Sequence, residues 1–332
     1  MKINMKLNHF SIAIAFFLLL TAFMPAGEIK QSKEILYVIK KDGKYGYIQK
    51  NGTPKVKPTY DNAWNFFGTC ARVKSNGKYG YINAEGKEHI KVQFEDAYDF
   101  SEGLALVKKD GKYGYINVTG KMVITPQFEE AWRFFSGLAA FKKGNSWGFI
   151  DKTGKVVIQP KFEIVSVFSE GLAAVGQISG SNFIYGYIDT KGTMVIKPQF
   201  GVASGFSEGL ASVGTGFIDR TGKTVMNFEE VADFSEGLAP VKQKGKWGYA
   251  DRNGKVVIPA QFDYCGGFAE GFAVVKLAGK YGYVNANGQK VIAPQYAQGD
   301  SFNNGLARVM TADDYTAAYI DNQGQLKWSA KK

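Results

Sequence analysis

Beyond about residue 34, apolar residues come in short bursts separated by polar, Gly-bearing clusters, with no sustained helical period. The stretch Ser101 to Phe128 shows the pattern. Leu104 to Val107 alternates apolar and small residues, Lys109-Asp-Gly-Lys112 is a turn, and Tyr113 to Ile116 is a second apolar run. Asn117-Val-Thr-Gly120 is a second turn, and Lys121 to Ile124 is a third run that Pro126 stops. Runs of this length joined by Asx- and Gly-containing loops predict three short strands in consecutive hairpins.

The same stretch recurs. Tyr45-Gly46, Tyr79-Gly80, Tyr113-Gly114 and Trp147-Gly148 stand 34 residues apart. The series continues at Tyr185-Gly186, Gly216, Trp247-Gly248 and Tyr281-Gly282, and in degenerate form at Ala318-Tyr319. Nine units result. Their second turn opens on Gln49, Asn83, Asn117, Asp151, Asp189, Asp219, Asp251, Asn285 and Asp321. Its fourth position is Gly in every unit, from Gly52 to Gly324. An Asx oxygen that accepts a nearby backbone N–H, followed by a Gly free to take positive φ, specifies a type I turn closed by a left-handed residue. The recurring acids are thus turn caps rather than a ladder of metal ligands.

Between units lie two aromatics six residues apart: Tyr60/Phe66, Phe94/Phe100, Phe128/Phe134, Phe162/Phe168, Phe200/Phe206, Phe228/Phe234, Phe262/Phe268 and Tyr296/Phe302. A three-stranded meander cannot cover its own apolar face, so neighbouring units must stack, with these aromatics as the shared core. The expected fold is all-β: nine tandem three-stranded meanders over residues 27–332 in an open, twisted superhelix or solenoid. A propeller-like ring is the alternative. The open form is favoured because nine exceeds the usual blade number and no unit is split between the two ends.

Composition adds compartment more than chemistry. The chain has 332 residues, a formal charge of +11, 40 Gly, two Cys and two His. Lys2 and Lys6 precede an apolar run from Ser11 to Phe23, followed by Met-Pro-Ala-Gly. A basic start, a run shorter than the roughly 20 residues needed to span a bilayer, and small residues behind it read as a signal peptide over residues 1–26. Cleavage there removes two lysines, one His and no acid, leaving +9 and no stable transmembrane segment. The expected location is exported: periplasm, cell surface or extracellular. Cys70 and Cys265 lie almost six units apart and read as small buried thiols.

The unit resembles the WG repeat, a bacterial repeat named for its Trp-Gly pair. The resemblance rests on Trp/Tyr-Gly-Tyr/Phe-Ile-Asp, then Gly-Lys-Val-Val-Ile-x-Pro-x-Phe, then Phe-Ser-Glu-Gly-Leu-Ala-x-Val, over about residues 34 to 328. It implies a β-rich interaction module and carries over no catalytic residues.

No His–nucleophile pair, phosphate-binding loop or zinc motif occurs, so neither an enzyme nor a cofactor is expected. Nucleic acid is a poor partner for an exported chain. Two rows could bind. Lys44, Lys78, Lys112, Lys246 and Lys280 precede the Tyr/Trp-Gly pairs; they form either a positive stripe or soluble edge protection. Trp64, Tyr98 and Trp132 recur at one connector position, flanked by Asn65, Asp99 and Arg133. They form a stacking platform if exposed and core if buried. Glu102, Glu170, Glu208 and Glu236 form an opposing charged row. The expected function is a protein-interaction scaffold at the bacterial cell envelope. The alternative is a binder of cell-surface or anionic glycans, with an envelope polysaccharide as ligand.

Overall fold

The computed structural model describes residues 35–180 and 182–331. The proposed signal peptide, residues 1–26, lies outside them. Nine small antiparallel sheets follow one another along the chain, one per repeat, as nine blades.

Blade 3 shows the plan: a two-residue leading strand Asp96–Ala97, then Leu104–Lys109, Lys112–Asn117 and Met122–Phe128 as the first, second and third strands. Both expected turns are present. Asp110 and Gly111 take φ of 53° and 75°, a primed hairpin turn matched to strand twist. In the second turn Asn117 Oδ1 accepts the Thr119 and Lys121 N–H at 3.1 and 3.0 Å, and Gly120 has φ 83°. Blade 5 carries the lengthened hairpin, Leu172–Ser179 with Asn182–Asp189, and blade 6 the shortened one.

Two expectations need correction at this level. The third strand does not stop at Pro126; it continues to Phe128 by bulging. Tyr113 pairs with Phe128, but Tyr115 pairs with Ile124, so extra third-strand residues arch over Gly114. Proline fits there because a bulge needs no ladder N–H from it. The connectors also hold more than core aromatics: six of them carry a two-residue or longer strand on the following blade.

Of the two expected arrangements the ring holds and the open superhelix does not: the blades close into a nine-bladed β-propeller. Each interior junction is built alike. A second-strand aromatic packs on the connector Phe that leads to the next blade, as in Tyr81–Phe100 at 5.0 Å and Tyr115–Phe134 at 4.8 Å. At the seam between blades 9 and 1, Tyr319 packs on Tyr37 at 5.6 Å. Tyr37 Oη donates to Asn304 O at 2.7 Å, and Tyr319 Oη donates to Val38 O at 2.8 Å. Tyr37, Ile39, Ile48, Leu306 and Tyr319 share one core cluster.

The sequence explains why no split blade is needed. Tyr37 occupies a first-strand column that is otherwise Ala71, Ala105, Ala139, Ala173, Ala211, Ala239, Ala273 and Ala307, all buried. Its ring fills the volume that the connector Phe fills at every other junction.

The glutamate row proves to be a belt between blades. Glu102, Glu170, Glu208, Glu236 and Glu270 all have φ of 51–57° at the second position of the turn before the first strand. A left-handed Glu costs about 1 kcal/mol. Each carboxylate accepts the N–H of the corresponding Gly one blade on: Gly137, Gly209, Gly237, Gly271 and Gly305. A hydrogen bond to a charged group contributes about 1.5–3 kcal/mol, enough to offset that strain.

Candidate functional site

The connector residue four places after the first aromatic is the pivot of the site. Its carbonyl accepts the preceding blade's core Tyr hydroxyl at Trp64, Tyr98, Trp132, Ser204, Gly266 and Asp300, over 2.6–2.8 Å. These bonds use only the backbone, so the ring fixes the position and leaves the side chain free to vary.

That side chain does vary, and by sector. Around the ring it reads Asp300, then the seam, Trp64, Tyr98, Trp132, Ser166, Ser204, Ala232 and Gly266. Large aromatic and charged groups occupy the connectors of blades 9, 2, 3 and 4; small ones occupy those of blades 5 to 8.

The three aromatics are half-buried. Each lies near an aromatic of the blade it leads into: Trp64–Tyr79 at 5.8 Å, Tyr98–Tyr113 at 6.5 Å and Trp132–Trp147 at 5.3 Å. The Arg72 guanidinium covers Trp64, 3.8 Å from its ring centroid, and reaches 5.8 Å from that of Tyr98. Its NH1 group donates to Ala97 O. Arg72 Nε stands 3.2 Å from Asp99 Oδ1, yet neither buried atom has an aligned hydrogen-bond partner. Both retain unused hydrogen-bonding capacity, which buried polar atoms rarely do. Burial also lowers the pKa of Arg133, against the pull of Asp99.

The lysine row is largely neutralised. Lys44 pairs with Asp61 at 2.7 Å, Lys112 with Glu129 at 3.3 Å and Lys246 with Asp263 at 2.6 Å, each acid 17 residues on. At Lys78 the matching acid, Glu95, accepts the Gly111 N–H, and at Lys280 the matching position is Ala297. These lysines meet the start of the connectors, apart from the aromatic row three residues further along.

Tyr37 carries a signal in the sequence, since it breaks the alanine column. Arg72 carries none, because its first-strand column is mixed: Val38, Leu106, Ala140, Ala174, Ser212, Pro240, Val274 and a second arginine, Arg308. A cavity of about 140 Å³ opens at the seam, lined by Tyr37, Val38, Asn65, Asp300, Arg308 and Tyr319 among others. Burial pushes Tyr37 up to about 12 and raises Asp300.

The family model of the WG containing repeat matches eight consecutive stretches covering most of residues 45–313. The chain belongs to this family. The defining Gly of a WG unit has a steric cause here: a Cβ on Gly114 would lie 2.5 Å from Ile124 O and 2.7 Å from Pro126 N, under the third-strand bulge. The Gly of the second turn packs on the preceding blade; a Cβ on Gly120 would lie 3.2 Å from Ile90. No curated protein matches the chain. Among solved structures, Hsv2 of Kluyveromyces lactis is similar at 8% identity, covering 76% of this chain and 89% of that one, with TM-score 0.38. PorZ of Porphyromonas gingivalis, described as a bacterial surface component of the type-IX secretion system, is 8% identical over 80% of this chain and 44% of that one, with TM-score 0.35. The AfRom2 CNH domain is 10% identical over 80% and 92%, with TM-score 0.34.

Both cysteines are buried free thiols, and burial pushes Cys265 up to about 12. Among the described residues, no His/Cys/Asp/Glu group is gathered for a metal and no helix could cross a membrane. Asp233 lies in the opposite sector. Ser212 Oγ donates to Asp233 Oδ1 at 2.9 Å, and burial raises the Asp233 pKa. A raised folded-state value means stability present below the unfolded pKa, about 4, and lost as pH rises through the folded one. Asp233→Asn should therefore raise Tm at pH 7 and leave it unchanged well below pH 4 in calorimetry.

Proposed function

We propose that this WG-repeat propeller is a non-enzymatic scaffold that holds a protein partner through the connectors of blades 9, 2, 3 and 4, and that it works at the cell envelope after export. The observation that carries this reading is the sector asymmetry: backbone positions that are equivalent round the ring bear Asp300, Trp64, Tyr98 and Trp132 on one side and Ser, Ala or Gly on the other. The sequence of residues 1–26 supports export. A glycan platform is less favoured, because Arg72 already covers Trp64 and neighbouring rings flank the other aromatics.

The test is crosslinking of the protein in its own cell. A discrete protein partner should be recovered, insensitive to added polysaccharide. Trp132→Ala with Arg133→Ala should lower recovery at least tenfold, and Ser166→Ala with Ser204→Ala should not. Equal recovery from both variants, or competition by polysaccharide, would overturn the reading.

A further inference from the structure

The hairpins that join first and second strands stand on one face of the ring, because the blades are equivalent. Two neighbouring ones depart from the rest in opposite directions. Between the Gly of the Tyr/Trp-Gly pair and the first-strand residue opposite it lie six residues in blades 1 to 4, 7 and 8, ten in blade 5 and two in blade 6. Blade 5 therefore projects, on two strands of eight residues, Leu172–Ser179 and Asn182–Asp189. Blade 6 is recessed, and its third strand, Thr224–Asn227, lacks the bulge over Gly216 as well.

The chemistry changes with the length. Each of the six ordinary hairpins carries two or more lysines. One of them lies over the aromatic ring of the pair, as Lys108 over Tyr113 at 5.3 Å and Lys242 over Trp247 at 5.9 Å. In blade 5 that lysine is replaced by Gly176, on which the Tyr185 ring rests, and the hairpin from Gln177 to Ile184 is uncharged. Blade 6 has only Gly214 and Thr215 there. Lysines on exposed strands keep edges from pairing, and depletion of charge marks the core of a protein interface. Ile178 on the projection and Val202 beside the recess are each 59% exposed, more than any other large aliphatic side chain among the described residues.

The recess leaves a groove of about 590 Å³, lined by Phe228, Glu229, Lys244, Val256, Pro259 and Ala260 among others. Phe228 is only half-buried, whereas its counterparts Phe94, Phe128 and Phe262 are buried. Val256 corresponds to Val156, which packs on the core shared by blades 3 and 4. The projection of the same copy does not fill the groove, since Ile178 stands in solvent.

We propose that two copies of this chain pair about a two-fold axis, the blade 5 projection of each entering the groove between blades 6 and 7 of the other. A projection and a recess side by side on one rim are self-complementary, as a closed two-fold contact requires. The uncharged hairpin sets no like charge against Lys244 or Glu229, and Gln177, Ser179 and Asn182 bring it hydrogen-bonding groups for both. The contact leaves the connectors of blades 9, 2, 3 and 4 free, so the pair presents that sector twice.

The test is sedimentation velocity over a concentration series, on the protein purified from its own cells. A monomer–dimer equilibrium is expected. Ile178→Lys should weaken it at least tenfold. Leu326→Lys, at a comparably exposed site on blade 9, should leave it unchanged. Replacing Gly214-Thr215 with the sequence of residues 108–113 rebuilds an ordinary hairpin in blade 6 and should also weaken it at least tenfold. A mixture of the Ile178→Lys and rebuilt variants keeps one intact projection and one intact groove, so mixed dimers should form more readily than either variant's own. A monomer at every concentration up to high micromolar, a dimer indifferent to both variants, or mixed dimers no more stable than the variants' own would overturn the proposal. None of these changes alters the connector sector, so the scaffold reading stands or falls separately, by crosslinking.

Discussion

Tyr37→Ala should open the ring at its seam. The substitution installs the residue that every other blade has at this position, but without a connector Phe to fill the space. It removes a side chain only 5% exposed, its packing on Tyr319 at 5.6 Å and its hydrogen bond to Asn304 O. Truncating a buried large aromatic costs about 3–5 kcal/mol. That is a large part of the about 5–15 kcal/mol by which folded proteins are stable. The expected result is a lower Tm together with a larger radius of gyration in small-angle scattering. Tyr37→Phe should keep the ring closed and lose about 1 kcal/mol, the ordinary contribution of one hydrogen bond. An unchanged Tm and radius for Tyr37→Ala would show that the seam is held by something else.

Gly114→Ala should be nearly as damaging, for a reason confined to one blade. The added methyl would lie 2.5 Å from Ile124 O and 2.7 Å from Pro126 N. These are backbone atoms of a strand pinned on the second strand, so no side-chain rotation relieves the contact. Overpacking a well-packed site costs about 1–3 kcal/mol, more when backbone must move. Gly201→Ala is the control: a Cβ there meets nothing within 4 Å and Gly201 is not at positive φ. Urea unfolding should show a clear loss for the first and almost none for the second. Similar midpoints for the two would remove the steric account of the WG glycine.

The repeat, its strand count and its turns were legible because local chemistry sets them. An Asx oxygen and a Gly at fixed spacing determine the second turn whatever lies beyond it. The bulge was not legible, since Pro126 reads as a stop unless the third strand is known to arch over Gly114. The choice between ring and open array was not legible for a related reason. Counting blades and looking for a split unit are rules about backbone, whereas this ring closes through side chains, chiefly Tyr37 and Tyr319. The Tyr37 substitution was visible as a break in an alanine column, but its meaning depends on blade 9 being its neighbour. Of the candidate site, Trp64, Tyr98 and Trp132 were found by register alone. Arg72 and its pairing with Asp99 join the first strand of one blade to the connector of the next, and no linear spacing announces that.

The side-chain seam bears on how such a protein can change in evolution. A propeller that closes by sharing one blade between its two ends must keep both halves complementary whenever its length changes. Here the closure lies wholly in the terminal units, and every interior junction repeats one pattern: a second-strand Tyr or Phe, a connector Phe and a turn Gly. A whole repeat duplicated or deleted within the array would leave the seam's own residues untouched. Ring size in this architecture is therefore an adjustable quantity, limited by the wedge angle between blades rather than by the need to redesign the join.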